Sequence, residues 1–265
     1  MDFIKALILS FVEGATEFLP VSSTGHLILV QEYLGFGSNA GQTFADTFIV
    51  AIQLPAILAV VVYFRQAMLP GKAEELPAWL NLWTRVVLAF LPAAVLGFLL
   101  HDRIEAVLFH PLPVAVALIV GGVILILLEW KGMEGRLQHI SDIRWSTAFW
   151  IGCFQCLALI PGTSRSAATI IGAMCLGTSR AAAAEFSFFL AVPTMVAATT
   201  YKLLNEGAHF NMHQWSLLLV GSVGSFIVAY ASVAFLMAYI RNHSFALFGY
   251  YRIILGLLVL GLLMM

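Results

Sequence analysis

Six stretches of about 20 mainly apolar residues recur along this chain of 265 residues, and they constrain its fold more than any other feature. They cover roughly residues 43–66, 80–100, 112–130, 179–205, 213–241 and 245–265. A helix of this length is long enough to cross the hydrocarbon core of a bilayer. Only 10% of the residues are charged, whereas soluble domains have about 25%. The sequence therefore predicts an all-α polytopic membrane protein with six transmembrane helices, forming a single integral membrane domain over residues 1–265.

Two further apolar stretches, about 2–35 and 145–176, are each interrupted near the middle by a proline and small polar residues. The first interruption reads PVSSTG from Pro20, and the second reads PGTSRS from Pro161. Each arm has only about 12–18 residues, which is too short to cross a bilayer comfortably. We therefore predict two re-entrant helical hairpins. Their polar turns can lie at membrane depth only if they are buried in protein or line a wet cavity.

The second half of the chain repeats the pattern of the first at an offset of 138–142 residues. The matching pairs are Pro20 and Pro161, Gly35 and Gly177, Phe48 and Phe186, Pro55 and Pro193, and Tyr63 and Tyr201. Each copy, about 1–131 and about 144–265, contains one hairpin and three spans. Because three is an odd number, the second copy is inverted relative to the first. An inverted-topology repeat predicts a functional site where the broken helices meet.

Basic residues near the helix ends predict the orientation of the chain. If the spans alternate, Arg65, Lys72, Lys131, Arg136, Arg144, Arg180 and Arg241 lie on one side, and Lys5, Arg103 and Lys202 on the other. The side with more basic residues is expected to be cytoplasmic. Both termini and the mouth of the first hairpin then face outwards. The formal net charge of −1 gives no electrostatic reason to expect a nucleic-acid partner.

Two glutamates, Glu13 and Glu17, lie four residues apart before the first break, so that both project from one helix face. In an apolar setting they repel each other unless a proton or a divalent cation neutralises them. Oxygen ligands suit Mg²⁺ or Ca²⁺ better than zinc. The alternative is that both glutamates lie solvated at a helix end near the outer surface. Carboxylates inside a membrane usually have a function, which favours the first interpretation.

Three hydroxyl residues, Ser22, Ser23 and Thr24, follow the first proline. They can act as N-caps of the next helix. They can also form an anion site at the helix start, with a spare hydroxyl as nucleophile. His26 lies about one helical turn beyond Ser23 and can serve as acid, base or nucleophile, or as a packing histidine.

The second break contains a glycine, hydroxyls and an arginine at the start of a helix, which is typical of an oxyanion cradle. Its residues are Gly162, Thr163, Ser164, Arg165 and Ser166. Arg165 can pair with a substrate anion, or it can form an internal salt bridge that joins the two hairpins. The second copy has no acidic residues where the first has its two glutamates. This division between an acidic and a basic hairpin suits phosphoryl transfer, which requires positioning and charge neutralisation.

Three segments carry a resemblance to a known family. EGATEFLPVSSTGH (13–26), PGTSRS (161–166) and AEFSFFLAVP (184–193) resemble motifs of the bacterial undecaprenyl-diphosphate phosphatases of the bacitracin-resistance type. The resemblance covers essentially the whole chain. It implies hydrolysis of undecaprenyl or another polyprenyl diphosphate to the monophosphate and inorganic phosphate in the bacterial inner membrane. This reaction would recycle the lipid carrier for cell-wall synthesis.

The resemblance also implies roles for individual residues. Glu13 and Glu17 match the acidic pair, which binds a divalent cation or serves as base. Ser23 and His26 match the candidate nucleophile or acid–base groups, and Arg165 matches the phosphate-binding arginine. The supporting hydroxyls would be those of Thr24, Ser164 and Ser166.

The alternative from a different class is a secondary transporter or flippase of an anionic lipid or phosphate-like substrate, because inverted repeats with broken helices are typical of transporters. Such a protein would bind the same anion without hydrolysing it. Ser23 and His26 near paired carboxylates favour the enzyme. The residues leave open whether Ser23, His26 or water is the nucleophile, and whether the protein is a homodimer. They also leave open whether Gln53, Tyr63, Tyr201 and Arg252 line the site or only pack between helices.

Overall fold

The computed structural model describes residues 1–108, 110–132 and 135–263. In the first half, a helix–turn–helix precedes a series of apolar helices. The helices are α1 (Asp2–Thr16), α2 (Ser23–Leu34), α3 (Phe36–Ala40), α4 (Gln42–Ala51), α5 (Gln53–Tyr63), α6 (Arg65–Met68), α7 (Leu76–Leu108) and α8 (Pro111–Trp130). A short 3₁₀ turn over Ala73–Glu75 leads into α7.

The second half of the chain has the same plan. Its helices are α9 (Trp145–Gln155), α10 (Arg165–Cys175), α11 (Arg180–Glu206), α12 (Met212–Tyr239) and α13 (Ala246–Leu263). Three 3₁₀ turns, Ile140–Asp142, Cys156–Leu159 and Gly207–His209, lie before α9, after α9 and after α11. The pair α9 and α10 packs together across the second break, as α1 and α2 do across the first.

Within the described residues, six helical segments are long and apolar enough to span a membrane. They are Gln42–Tyr63, Leu76–Leu100, Pro111–Trp130, Arg180–Glu206, Met212–Tyr239 and Ala246–Leu263. The same residues contain no β-strand, only an isolated bridge between Leu137 and Thr178. The predicted all-α polytopic fold with six spans is therefore confirmed. The two helix–turn–helix units have the shape expected of re-entrant hairpins, and their entry into a bilayer remains a prediction.

The first span differs from the prediction because it consists of two helices, α4 and α5, separated at Ile52. Pro55 follows this point and has no N–H to donate to the preceding turn. Side-chain hydroxyls satisfy carbonyl groups at the joint. Thr199 donates to the carbonyl of Val50 (3.0 Å) and Ser225 to that of Ile52 (2.8 Å). The helix is thus broken at membrane depth without leaving these carbonyls unpaired.

Glycines allow the two halves to pack closely against each other. α1 packs against α12 at Gly14, whereas α9 packs against α7 at Gly152. α8 packs against α13, where Gly122 and Gly249 face each other. None of these positions has room for a Cβ atom, which is the usual basis of close helix packing in membranes. The first arm of each hairpin therefore packs on a span of the other half.

A salt bridge away from both breaks joins α11 to α8. The Arg180 guanidinium donates to both carboxylate oxygens of Glu129, at 2.9 Å and 2.5 Å. Glu129 is 4% exposed and also accepts from the backbone N–H of Phe245 (2.9 Å). This ion pair fixes the start of α11 to the end of α8.

Candidate active site

The two breaks contain the same unusual backbone conformation. Ser22 and Ser164 have φ values of 72° and 70°, and within the described residues they are the only non-glycine positions with positive φ. They lie 142 residues apart, the same offset as Gly35 and Gly177, which also have positive φ. Non-glycine residues in this region are strained, and such strain is concentrated at functional sites.

These two serines cap the helices that follow the breaks. Ser22 Oγ accepts from the backbone N–H of Gly25 (3.3 Å), and Ser164 Oγ accepts from that of Ala167 (3.2 Å). The capping role that the sequence left open among three hydroxyls thus falls to Ser22. Ser23 and Thr24 are left free to face the space between the hairpins.

A cavity of about 140 Å³ lies where the two breaks meet. The first hairpin contributes Glu17, Ser23 and Thr24, and the second contributes Ala158, Ile160, Pro161, Gly162, Ser164 and Arg165. The remaining lining residues are Gln53, Thr194, Met195 and Ala198. The cavity therefore has acidic and hydroxyl groups on one side and an arginine with a helix N-terminus on the other.

Glu17 lies between a hydroxyl and a guanidinium. Its Oε2 accepts a short hydrogen bond from Ser23 Oγ, and its Oε1 accepts from Arg165 Nη2 at 3.0 Å. Both charged side chains are largely buried, with 8% of Glu17 and 11% of Arg165 exposed. Arg165 also donates to the carbonyl of Ser187 (3.1 Å) and lies over the ring of Phe18. Both predicted roles of Arg165 are compatible with this geometry, since it joins the hairpins and also lines the cavity.

Glu13 lies one turn before Glu17 on α1 and is 0% exposed. Neither of its carboxylate oxygens has a hydrogen-bond partner among the described residues. The alternative of two solvated glutamates does not hold. A buried carboxylate without a partner is costly, so the position calls for a proton or a cation.

Four predicted site residues lie outside the lining of the cavity: Glu13, described above, and three residues of the breaks. His26 Nδ1 donates to the carbonyl of Ser22, and Nε2 pairs with the hydroxyl of Tyr251, both at 2.7 Å. Ser166 Oγ donates to the carbonyl of Leu19 (2.9 Å) and so ties the second hairpin to the first. The Thr163 N–H donates to the carbonyl of Ile160 (3.1 Å) within the second break. In this geometry the three residues shape the breaks.

Residues 6–258 match the family described as "Bacitracin resistance protein BacA". The chain belongs to this family. The assignment predicted from the three motifs is thereby confirmed.

Named relatives cover nearly the whole BacA-family chain. "Undecaprenyl-diphosphatase 1" of Clostridioides difficile (strain 630) is 48% identical over 265 residues, with 98% of this chain and 96% of the relative covered. "Undecaprenyl-diphosphatase" of Fusobacterium nucleatum is 48% identical over 264 residues, with 97% and 99% covered. The protein of the same name from Pseudomonas putida (strain W619) is 48% identical over 267 residues, with 98% and 95% covered. Family and apolar helices together identify a multi-pass membrane protein.

Some lining residues of this BacA-family protein were not assigned to the site from the sequence. Thr194 and Met195 follow Pro193 in the repeated pattern, and nothing in their spacing distinguishes them from helix packing. Gln53 was left open and does line the cavity. The other three residues left open do not: Tyr63 packs on Phe64 and Tyr230, Tyr201 is exposed, and Arg252 is buried behind the breaks.

Proposed function

We propose that the protein hydrolyses undecaprenyl diphosphate, or a related polyprenyl diphosphate, to the monophosphate and inorganic phosphate. The observation that carries this proposal is the placing of Ser23, Glu17 and Arg165 around one cavity. A hydroxyl, a proton acceptor and a fixed positive charge are the groups that phosphoryl transfer requires. The names of the relatives indicate the same reaction, which would recycle the lipid carrier for cell-wall synthesis.

The size of the cavity defines which part of the substrate enters it. A volume of about 140 Å³ holds several water molecules. A phosphate head group fits this space, whereas a polyprenyl chain does not. The terminal phosphate pairs with the guanidinium of Arg165 and with the free N–H groups at the start of α10. The chain lies outside, in the lipid.

The contacts of Ser23 make it the best-placed nucleophile. Ser23 Oγ attacks the terminal phosphorus while Glu17 accepts its proton, and the bond from that phosphorus to the bridging oxygen breaks. The lipid monophosphate leaves, and water then attacks the phosphoserine and releases inorganic phosphate. Arg165 neutralises charge on the phosphoryl oxygens in both steps. His26 is not used as a nucleophile, because both of its ring nitrogens are engaged away from the cavity.

The donor set fits a divalent cation. Glu13 is unpaired and buried next to Glu17, but the described residues contain no cluster of three His, Cys, Asp or Glu side chains. Two carboxylates suit Mg²⁺, which is often held by one or two carboxylates together with substrate phosphates, better than Ca²⁺, which takes six to eight oxygens. We propose that Glu13 and Glu17 hold it. A bound cation would supply charge neutralisation at the phosphate oxygens.

Replacing Glu13 with glutamine is expected to weaken the dependence on the cation. We expect the Mg²⁺ concentration for half-maximal phosphate release to rise by at least ~10-fold, because a ligand is lost. Titration of Mg²⁺ against turnover measures this. Glu74→Gln, in the exposed loop before α7, is the charge-matched control and should leave the titration unchanged. An unchanged titration in Glu13→Gln would show that Glu13 is not a ligand.

Replacing Ser23 with alanine is expected to lower turnover by roughly 10³-fold or more, because the nucleophile is lost. Phosphate release from a polyprenyl diphosphate measures the loss, and acid-quenched wild type should contain phosphoserine at position 23. Ser232→Ala is the matched control, since Ser232 bonds only within α12 and turnover should be retained. Activity that survives in Ser23→Ala would make water the nucleophile and Ser23 a positioning group.

We also propose that the two halves form an inverted repeat whose site opens towards the outer face of the bacterial inner membrane. The first arm of each hairpin packs on a span of the other half, α1 on α12 and α9 on α7, and this packing supports the repeat. The matching backbone conformations of Ser22 and Ser164 also support it. In a cysteine-free background, an impermeant maleimide should label His209→Cys in intact cells and leave Lys131→Cys unlabelled. The reverse pattern would invert the topology.

The proposed function is tested by phosphate release from a polyprenyl diphosphate in detergent, with and without a chelator. We expect release by the wild type that the chelator reduces. A well-folded wild type that binds the lipid without releasing phosphate would refute the phosphatase. It would favour the transporter, for which the repeat is the supporting observation.

A further inference from the structure

One arginine outside the cavity connects both breaks. Arg252 lies on α13, is 0% exposed, and is not among the lining residues. Its guanidinium donates to the carbonyl oxygens of five residues. These are Leu118 (3.3 Å), Pro20 (3.2 Å), Ala117 (3.2 Å), Gly162 (3.1 Å) and Thr163 (2.9 Å). A single side chain thus links α13, α8 and the turns of both hairpins.

This buried charge has no counter-ion in the described part of the chain, where no carboxylate pairs with Arg252. An arginine buried in this way is costly unless hydrogen bonds compensate for lost hydration. Here backbone carbonyls provide the compensation. In return, Arg252 satisfies carbonyls at the breaks, which have no helical partner. All three guanidinium nitrogens take part, with Nη2 shared among three carbonyls, and the ammonium of lysine cannot reproduce this planar arrangement.

The contact with Thr163 defines the direction of a backbone N–H. In a trans peptide, the carbonyl and the N–H of the next residue point in opposite directions. The Thr163 carbonyl points at Arg252, so the Ser164 N–H points away from Arg252. Ser164 lines the cavity, and its N–H has no acceptor among the described residues. This unpaired N–H therefore belongs to a residue of the cavity wall and is available to a bound phosphate.

We propose that Arg252 is a positioning residue that orients the Thr163–Ser164 peptide, so that the Ser164 N–H donates to the phosphoryl oxygens in the transition state. Through its bond to Pro20 it also fixes the turn between Glu17 and Ser23. The proposal rests on the proposed phosphatase function. It gives this reaction an oxyanion donor from the backbone, set in place by a side chain that never touches the substrate.

Arg252→Lys is the first variant, because it keeps the positive charge and removes the fork. Loss of one transition-state donor typically lowers kcat by roughly 10²-fold or more. We expect a fall of that size with KM within about 3-fold of the wild type, because Arg165 and the other N–H groups at the start of α10 still bind the phosphate in the ground state. Turnover is expressed per folded protein. The folded fraction is measured by gel filtration and thermal melting in detergent.

Gly121→Ala is an independent variant that leaves Arg252 itself in place. A Cβ atom at Gly121 would overlap Arg252 Nη2, so the methyl group pushes the guanidinium away from the breaks. We expect the same fall in kcat as in Arg252→Lys. Gly261→Ala on α13 is the matched control, since its Cβ would meet nothing within 4 Å, and its kcat should equal that of the wild type.

The outcomes separate this proposal from the proposed function. An inactive, folded wild type would refute the phosphatase itself. With an active wild type, a fall in kcat at near-constant KM in both variants supports the positioning role. Unchanged kcat, a rise in KM alone, or a loss that only follows the folded fraction would overturn it. If Arg252→Lys does not fold, Gly121→Ala decides between these results.

Discussion

Arg165→Ala is expected to lower phosphate release by roughly 10³-fold or more, which is the scale of losing an arginine that stabilises a phosphoryl-transfer transition state. Two effects combine. The phosphoryl oxygens lose a positively charged partner, and Glu17 loses the guanidinium bound to its Oε1 at 3.0 Å. Phosphate release per folded protein measures the change. Arg165→Lys should recover only part of the activity, because lysine restores the charge without the fork.

Arg180→Ala is the matched control for this experiment, since Arg180 also pairs with a buried glutamate, but away from the cavity. Its loss should lower thermal stability, because Glu129 is left buried without its cation, while turnover per folded protein is retained. Near-normal turnover in Arg165→Ala would refute the role of Arg165 in catalysis. Equal losses in both variants would mean that the measurement reports folding alone.

Glu17→Gln is expected to lower turnover by roughly 10²–10⁴-fold, the range for removing a general base. Glutamine retains the shape of the side chain, but its amide cannot take up the proton of Ser23. The short hydrogen bond from Ser23 to Glu17 would become one to a neutral acceptor. A burst of phosphoserine without turnover is not expected, because attack itself is blocked. Single-turnover kinetics in detergent test both points.

Glu129→Gln serves as the control, because Glu129 is likewise buried and accepts from an arginine. Its turnover per folded protein should match the wild type. Retained activity in Glu17→Gln would transfer the role of base to another group, and Glu13 would then be the first to examine.

The fold was predictable because its main determinants are local. Runs of apolar residues define the spans by length alone, and Pro20 and Pro161 with their polar neighbours mark the breaks. The pairing of Glu17 with Arg165 was among the predicted possibilities, because a buried charge without a partner is strongly destabilising. The break at Ile52 was not predicted, because hydroxyls from distant helices make it tolerable.

The roles within the breaks depend on contacts that leave no local trace. Ser22 caps α2 because of its own backbone conformation, which the run of three hydroxyls does not reveal. His26 is directed away from the cavity by Tyr251, 225 residues further along the chain. Arg252 binds backbone carbonyls, which every residue has, and so no sequence pattern indicates its partners.

The packing of α1, in the first half of the chain, on α12, in the second half, has a consequence for biosynthesis. Gly14 on α1 reaches its neighbour Ala229 on α12 only after most of the chain has been made. At ~5–20 residues per second, the ribosome needs on the order of tens of seconds to produce that partner. Until then, Glu13 and the face of α1 that packs on α12 lack the surroundings that bury them in the folded protein. During this interval, the packing face of α1 is without the helix that covers it in the folded protein.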